Sequence, residues 1–305
     1  MIDRARLLFP TLASGLGALG ATVIDLIFPP LDPCTLCRAP LSISSEVRVC
    51  AACLERLGRI GDRRCARCGR ALGTGRFCAS AFSLPSEEAA AESFAVETRL
   101  FRRVAPASLC HQCRTVPSAL DVGRAYGAYE GYMRSVIHNL KYRGDLMVAR
   151  GLGELMAWVV SLEPRFAGVE LIVPVPLHPK RLRERGFNQA TELAIAVGEA
   201  LDLPVVEAVA RVRETVPQSS LGFAERRRNT VRAFETVAPE AVRGREVLIV
   251  DDVYTTGATA SSVALSLKRA GARRAMGIFA AAGSLEQDFW VKDSLAVHKQ
   301  RVMGR

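Results

Sequence analysis

Between residues 121 and 283, apolar runs alternate with segments whose apolar residues recur at helical spacing. Runs with little or no polar face are typical of strands buried in a sheet, and they fall at residues 122–130 (a strand or hairpin), 170–176, 205–210, 247–250 and 274–282. Helical recurrence is found at residues 132–140, 146–162, 188–201 and 257–270. Strands that alternate with helices predict an α/β fold built on a parallel sheet.

The most informative apolar run, at residues 247–250, leads directly into two carboxylates, Asp251 and Asp252. Open parallel sheets bind ligands at the carboxyl ends of their strands, so we expect both side chains to face a ligand. The turn that follows offers hydroxyls and consecutive backbone N–H groups at a helix N-terminus, a combination that binds anions. Its residues are Thr255, Thr256, Gly257, Ala258 and Thr259. These features predict a ligand with hydroxyls and phosphate, such as a sugar phosphate with a divalent cation.

Eight of the nine cysteines form four C-x-x-C pairs. A two-residue spacer lets both thiolates of a turn reach one ion, and two such turns complete a tetrahedral Zn²⁺ site. An interleaved combination of the four pairs is compatible with the spacing. The simplest combination gives two sites, the first from Cys34, Cys37, Cys50 and Cys53 and the second from Cys65, Cys68, Cys110 and Cys113. Closed Cys₄ sites have no open coordination position, so we predict two structural zinc ions without a catalytic role.

The ninth cysteine, Cys78, lies in an Ala- and Ser-rich stretch, residues 71–107, between the third pair and the fourth. We interpret the stretch as an insertion and Cys78 as a bystander, and the alternative is that Cys78 replaces another ligand. Strict C-x-x-C doublets beside an α/β domain favour a reducing compartment over secreted disulfides. The predicted location is therefore the cytoplasm.

The ends of the chain carry weaker signals. Residues 7–30 are apolar behind a basic start, but Pro10 and Asp25 interrupt them, so we predict a helix at residues 14–28 instead of a signal peptide. No stretch has the length and uninterrupted apolarity of a membrane span. The predicted organisation has four parts: an N-terminal helix that packs on the metal module (1–30), the zinc module (31–118), the α/β domain (119–283) and a tail (284–305).

The chain carries 41 Lys and Arg against 31 Asp and Glu, a net charge of +10. A basic protein favours polyanionic partners, among which single-stranded DNA is a candidate. Four arginines of the zinc module could make such contacts or could simply be solvated, namely Arg63, Arg64, Arg67 and Arg70. Under both interpretations we expect them to be independent of the phosphate-binding turn.

Residues 247–259 resemble the phosphoribosyl pyrophosphate (PRPP) motif of type I phosphoribosyltransferases. The wider set of motifs is similar to the ComF family, which joins a double zinc ribbon to a phosphoribosyltransferase-like domain with helices on both faces of its sheet. The motifs are the four C-x-x-C pairs, HNLKYRGD (138–145), VPVPL (173–177), RGFNQ (185–189), RxTxxQ (213–218) and VDD (250–252). Members of this family are linked to DNA uptake in natural competence and to single-stranded DNA.

The resemblance implies a role for each matching residue. Asp251 and Asp252 would hold the ribose hydroxyls of Mg²⁺-PRPP, and the Thr255–Thr259 turn would bind its 5′-phosphate. Implied contacts to pyrophosphate or from a flexible lid at 211–234 involve Pro176, Leu177, Lys180, Arg185, Arg213, Gln218 and Lys141. Purine-salvage members commonly carry a carboxylate base where Thr255 stands, so that chemistry is disfavoured and no catalytic base is assigned.

Two functions fit the sequence. One is a phosphoribosyltransferase linked to nucleotide metabolism or DNA uptake, which would use Mg²⁺-PRPP and an unidentified acceptor. The other is a non-catalytic accessory protein that binds single-stranded DNA and works with DNA-uptake proteins. PRPP-dependent release of pyrophosphate would favour the first, and salt-sensitive DNA binding without turnover would favour the second. The oligomeric state is left open.

Overall fold

The computed structural model describes residues 33–41, 47–72, 108–212 and 233–283. The predicted N-terminal helix, residues 73–107 of the insertion with Cys78, and the tail lie outside these ranges. Residues 213–232 of the predicted lid also lie outside them, and these include Arg213 and Gln218.

Helices and strands alternate along the described part of the α/β domain. The helices are α1 (Ala51–Leu57), α2 (His111–Thr115), α3 (Gly131–Arg143), α4 (Leu146–Leu162), α5 (Pro179–Arg185), α6 (Gln189–Leu201), α7 (Pro239–Val242) and α8 (Ala258–Arg269), with a 3-10 turn at Pro164–Phe166. The strands are β1 (Gly123–Ala128), β2 (Leu171–Pro174), β3 (Val209–Arg211), β4 (Phe234–Thr236), β5 (Glu246–Tyr254) and β6 (Arg274–Ala282).

Four strands form one parallel sheet in the order β1-β6-β5-β2. Strand β2 stops early, because its last pair joins Pro174 to Val250, whereas β5 and β6 stay paired as far as Tyr254 and Ala282. The last four residues of β5 therefore have a neighbour on the β6 side only. This leaves an open ledge at the carboxyl edge of the sheet, where parallel sheets bind their ligands.

The sheet separates two hydrophobic cores, because alternate residues of a strand point to opposite faces. On one face Leu248 and Val250 pack with α3, α4 and α6, and on the other Val247 and Ile249 pack with α8. The cysteine sites are divided in the same way, with Cys34 and Cys53 in the first core and the four cysteines of the second site in the other. The structure confirms the expected fold class, a parallel sheet with helices on both faces and a small cysteine-rich module before it.

The cysteine-rich module crosses from one face to the other at the β1 edge of the sheet. Arg59 pairs with Gly127 in an isolated antiparallel bridge, and the N–H of Ile60 donates to the Tyr126 carbonyl at 2.8 Å. This short segment extends the sheet beyond β1 and covers its edge, which otherwise presents unpaired backbone groups.

Three sequence-based boundaries were wrong. Strand β5 does not end at Val250 but continues through both aspartates, because pairing with β6 holds the backbone extended. The strand predicted at 205–210 begins at Val209 and pairs antiparallel with β4, while Val205 makes one bridge to Ile172. The polar turn predicted at 141–145 is largely the end of α3, which stops at Gly144 in a left-handed conformation (φ +64°). Within the described residues no helix is both long enough and apolar enough to cross a membrane.

Candidate functional site

The eight paired cysteines form two separate clusters. Cys34, Cys37, Cys50 and Cys53 make one, Cys65, Cys68, Cys110 and Cys113 the other, and within each cluster the sulfur atoms lie within 4.8 Å of one another. The Sγ atoms of Cys37 and Cys50 are 3.6 Å apart, and those of Cys68 and Cys110 are 3.8 Å apart. Zn–S bonds of about 2.3 Å in a tetrahedron require S···S edges of about 3.8 Å, so both clusters fit zinc. The simplest of the predicted pairings is confirmed.

The two clusters are structural repeats of each other. In the first, the N–H of Cys34 donates to the Ala39 carbonyl and the N–H of Cys50 to the Cys34 sulfur. The equivalent bonds in the second run from Cys65 to Arg70 and from Cys110 to the Cys65 sulfur, at the same distances of 2.7 and 3.3 Å. Residue 39 therefore corresponds to residue 70, and the helices α1 and α2 occupy equivalent positions.

Both turns need a left-handed residue after their second cysteine, Arg38 (φ +66°) in the first and Gly69 (φ +71°) in the second. Arg38 is exposed there and pairs with Asp145. At Gly69 a Cβ would lie 2.7 Å from the Gly123 carbonyl oxygen, so only glycine fits against β1. The second cluster is thus seated directly on the sheet, and its four cysteines are all buried.

The thiol of Cys34 is prepared for metal binding by its surroundings. Burial acts to raise its pKa, but the backbone N–H groups of Cys50, Cys37 and Leu36 outweigh burial and lower the pKa to about 6. A thiolate is the form that binds zinc, and N–H groups directed at sulfur favour it.

Asp251 and Asp252 lie on the open ledge of β5. Asp252 is 4% exposed, and its carboxylate pairs with the ammonium of Lys141 on α3 and accepts from Gln189 Nε2 at 3.3 Å. Asp251 is partly exposed, and its Oδ1 accepts the backbone N–H of Asp252 at 2.8 Å. Two helices from one face of the sheet therefore hold the second carboxylate, whereas the first remains accessible.

The two carboxyl groups have opposite pKa shifts. Burial and then the charge of Asp252 raise the pKa of Asp251 well above its usual range. Burial also acts to raise the pKa of Asp252, but Lys141 and the hydrogen bonds from Asp251, Lys141 and Gln189 together lower it. Lys141 keeps a raised pKa despite its burial because Asp252 is its neighbour. The ledge therefore holds a paired carboxylate next to an acid that ionises only at a cost.

The turn after β5 has the geometry of an anion-binding loop. Gly257 caps α8 with φ +73°, and a Cβ at this position would overlap the hydroxyl of Tyr254. Both the left-handed backbone and the lack of space therefore require glycine. Tyr254 is buried beneath the turn and packs on Phe279 with ring centroids 4.9 Å apart. Thr255 is exposed, and the N–H of Ala258 donates to the Thr256 hydroxyl at 3.4 Å. The turn thus stands at the N-terminus of a twelve-residue helix, whose dipole favours anions.

The zinc module reaches this turn, contrary to the expectation that its arginines are independent of it. The Arg70 guanidinium, only 2% exposed, donates to the Thr255 carbonyl, and the side-chain amide of Gln112 donates to the Thr256 carbonyl. Arg67 donates to the Cys113 carbonyl at 3.0 Å and Arg64 faces Glu163. Of the four arginines considered as a DNA-binding or solvated group, only Arg63 is exposed.

The other predicted contact residues are divided between two places. Pro176 and Leu177 follow β2 in a partly buried loop, whereas Lys180 is exposed in the first turn of α5. Arg185 ends α5, donates to Gln189 Oε1, and so lies one residue from the Asp252 carboxylate. Arg213 and Gln218 lie outside the described residues, but the strands β3 and β4 bring the two ends of their segment together. Asn188 caps α6 as predicted, since its Oδ1 accepts the N–H of Ala190 at 3.1 Å.

A cavity of about 330 Å³ opens beside Lys141. Its lining is basic and aromatic and consists of Lys141, Tyr142, Arg143, Gly144, Glu184, Arg185 and Phe187. Tyr142 is 68% exposed. Its ring centroid lies 4.5 Å from that of His138, and the Arg185 guanidinium carbon lies 5.4 Å from the same centroid. Sequence analysis missed Tyr142 as a site residue, although it lies inside the motif at 138–145.

Comparison with known proteins agrees with these features. A family model for the double zinc ribbon domain matches residues 23–81. The DNA utilization protein YhgH of Escherichia coli K12 is 31% identical over 243 residues, which are 78% of this chain and 92% of that protein. Competence protein ComFC of Bacillus subtilis is 27% identical over 77% of this chain and 83% of its own length. Competence protein F of Haemophilus influenzae is 31% identical over 53% of this chain and 73% of its own length.

Solved structures give a weaker match. The allosteric regulatory enzyme of purine biosynthesis is 20% identical with a TM-score of 0.30, over 43% of this chain and 25% of that one. Glutamine PRPP amidotransferase from B. subtilis is 19% identical, also with a TM-score of 0.30. Because these TM-scores are low, we assign the fold from the parallel strand order and the helices on both faces of the sheet.

Proposed function

The chain belongs to the ComF family, in which a double zinc ribbon precedes a type I phosphoribosyltransferase-like domain, and we propose that it binds Mg²⁺-PRPP on the ledge of β5. The observation that carries the proposal is the juxtaposition of the two carboxylates with the turn at the α8 N-terminus. A pentose phosphate needs both, because its hydroxyls are bound well by carboxylates and its phosphate by backbone N–H groups.

In the proposed complex, Asp251 and Asp252 accept the ribose hydroxyls and the Thr255–Thr259 turn binds the 5′-phosphate. Lys141 already pairs with Asp252, so it stands where it could move onto the pyrophosphate of the ligand. Pro176, Leu177 and Lys180 follow β2, the neighbour of β5, which suits contacts to the same pyrophosphate. Arg213 and Gln218 are proposed as lid contacts on the sequence motif alone.

If the protein transfers the phosphoribosyl group, an acceptor atom forms a bond to ribose C1 while the bond from C1 to pyrophosphate breaks. The leaving pyrophosphate takes the electron pair, and cations of the site stabilise its charge. Any proton lost by the acceptor passes to solvent, since the ledge presents no assigned base. Transfer therefore requires an acceptor that can attack C1, whereas binding of PRPP does not.

The test is calorimetric titration with Mg²⁺-PRPP. The parent protein should bind, and the double substitution of Asp251→Asn and Asp252→Asn should abolish binding while circular dichroism shows a folded chain. Glu55→Gln is the matched control, because Glu55 is an exposed acid on α1, away from the ledge. A double variant that binds PRPP as tightly as the parent would refute the assignment.

A second candidate, single-stranded DNA binding, is favoured by the cavity beside Lys141. Tyr142 exposes its ring next to Arg143, and bases stack on such rings while arginines meet the phosphates. The names of the relatives, a DNA utilization protein and two competence proteins, point the same way. Titrating an oligonucleotide with and without Mg²⁺-PRPP tests the two functions in one experiment. It measures whether DNA binds, and whether the ledge and the cavity can be occupied at the same time.

A further inference from the structure

We propose that Arg70 and Gln112 of the second zinc site are positioning residues for the phosphate-binding turn, so that zinc at this site and phosphate binding are energetically coupled. The inference builds on the proposed function, since it concerns the turn that would bind the 5′-phosphate. It starts from two donors in the second cysteine cluster that reach two consecutive carbonyls of the turn.

The two carbonyls determine the direction of the N–H groups that would bind phosphate. In a trans peptide the C=O and the following N–H point in opposite directions, and the described residues contain no cis peptide. With the carbonyls of Thr255 and Thr256 held toward the zinc module, the N–H groups of Thr256 and Gly257 point away from it. Neither N–H has an acceptor among the residues that the structure describes.

Arg70 is only 2% exposed, and its guanidinium carbon lies 5.7 Å from the ring centroid of the buried Tyr254. The side chain is therefore beneath the turn and does not reach the surface where a ligand would bind. A buried guanidinium is costly unless it is hydrogen-bonded. Its donation to the Thr255 carbonyl therefore stabilises one conformation of the turn, and Gln112 repeats the same contact one residue further on.

The repeat between the two cysteine clusters shows that the geometry of a cluster does not require these two side chains. The first cluster has Ala39 where the second has Arg70, and Ala52 where the second has Gln112. Both clusters nevertheless show the same backbone and N–H···S bonds. Among the residues that the structure describes, donors to the turn come from the second cluster, which packs on the face of α8, and none comes from the first.

The experiment transfers the residues of the first repeat into the second, as the double variant Arg70→Ala with Gln112→Ala. The control is His111→Ala, an exposed neighbour on α2 whose counterpart, Ala51, is also alanine. Zinc content should remain at two per chain in all three proteins. NMR order parameters of the backbone N–H groups of residues 255–257, measured without ligand, should fall from about 0.85, the value of a rigid backbone, to below about 0.6 in the double variant, because two hydrogen bonds to the turn, one of them charge-assisted, are lost.

Titration with Mg²⁺-PRPP gives the second readout, and the affinity of the double variant should fall about tenfold or more. Conversely, PRPP should slow the release of zinc from the second site when a thiol reagent is added to the parent protein. Unchanged order parameters in the turn of the zinc-loaded double variant would overturn the inference. If the parent itself binds no PRPP, the proposed function fails, and the order parameters still decide the positioning role.

Loss of zinc from the double variant would mean that Arg70 supports the cluster instead of the turn. The single variant Gln112→Ala resolves this case, because Gln112 is only partly buried and leaves Arg70 in place. With its zinc retained, it should show a fall in order parameter about half as large as in the double variant and confined to residues 255–257, as expected when one of the two hydrogen bonds is lost. Parent-like order parameters in this variant would contradict the proposal.

Discussion

Replacement of Asp251 and of Asp252 by asparagine should change stability in opposite directions, although both substitutions should weaken PRPP binding. The two carboxyl groups are adjacent on β5, but only Asp252 has a cation, Lys141, against it. Asp251 has burial and a like charge beside it, which raise its pKa. Asparagine keeps the shape of both side chains, so the difference between the variants reports charge.

The magnitudes follow from the contacts. A unit charge about 4 Å from another is worth up to ~4 kcal/mol at an effective dielectric constant of 20. In Asp252→Asn, Lys141 loses this partner but is 21% exposed and regains some hydration, so we expect a loss of about 2 kcal/mol. In Asp251→Asn the repulsion disappears while the acceptor for the Asp252 N–H remains, so we expect a gain of about 1 kcal/mol.

The pH dependence of the stability difference between each variant and the parent provides an independent test. Because the folded-state pKa of Asp251 is raised, the parent loses stability as pH rises from the unfolded pKa of about 4 to the raised value. The advantage of Asp251→Asn should therefore be absent near pH 4 and grow with pH. The folded-state pKa of Asp252 is lowered, so the deficit of Asp252→Asn should be complete above about pH 5 and shrink as pH falls through that lowered pKa.

Thermal unfolding at pH 4.5 and pH 7.5, with zinc present throughout, measures both stability changes: the advantage of Asp251→Asn should grow between the two pH values, whereas the deficit of Asp252→Asn should be nearly complete at both. A change of 1 kcal/mol corresponds to about 2–4 °C in a protein of this size class. Glu55→Gln should move the midpoint by no more than about 1–2 °C, because surface substitutions away from ion pairs change stability by about 0.5 kcal/mol or less. Equal destabilisation by both asparagine variants at pH 7.5 would show that Asp251 and Asp252 have the same electrostatic environment, which would refute the opposite pKa shifts.

Three further predictions use other assays. Metal analysis of protein purified without chelator should give two zinc ions per chain, and a single equivalent would mean that one closed cluster is not a zinc site. Gly257→Ala should cost about 3 kcal/mol in urea unfolding, from positive-φ strain plus overlap with Tyr254, whereas Gly186→Ala, with nothing within 4 Å, should cost only about 1 kcal/mol. If single-stranded DNA binds at the cavity, Arg143→Gln should flatten the slope of log affinity against log salt by about 0.7. Tyr142→Ala should weaken DNA binding and leave this slope unchanged. A slope unaffected by Arg143→Gln would place the DNA elsewhere.

Local patterns were enough to predict the order of the elements and the presence of two zinc clusters, whereas the pairing rested on choosing the simplest combination. An apolar run such as 247–250 shows burial directly, and C-x-x-C spacing brings two thiolates to one ion by the geometry of a single turn. The strand boundary at Val250 was wrong because the pattern shows burial, whereas the strand continues through polar residues that pair with β6. The end of α3 was missed because Lys141 and Arg143 look like loop residues, although basic side chains also suit the last turn of a helix.

The contacts of Arg70 and Gln112 could not be predicted, because 185 and 144 residues separate them from the carbonyls they reach. Arginine is ordinarily exposed, so nothing in its local sequence indicates a buried positioning role. The fold explains the contact, since the segment at Arg59 and Ile60 crosses the β1 edge and delivers the second cluster to the face of α8. With one cluster in each core, the zinc module cannot shift without disturbing both faces of the sheet. Arg70 and Gln112 are therefore held from a rigid base, which is the condition for a precise backbone N–H geometry at the turn.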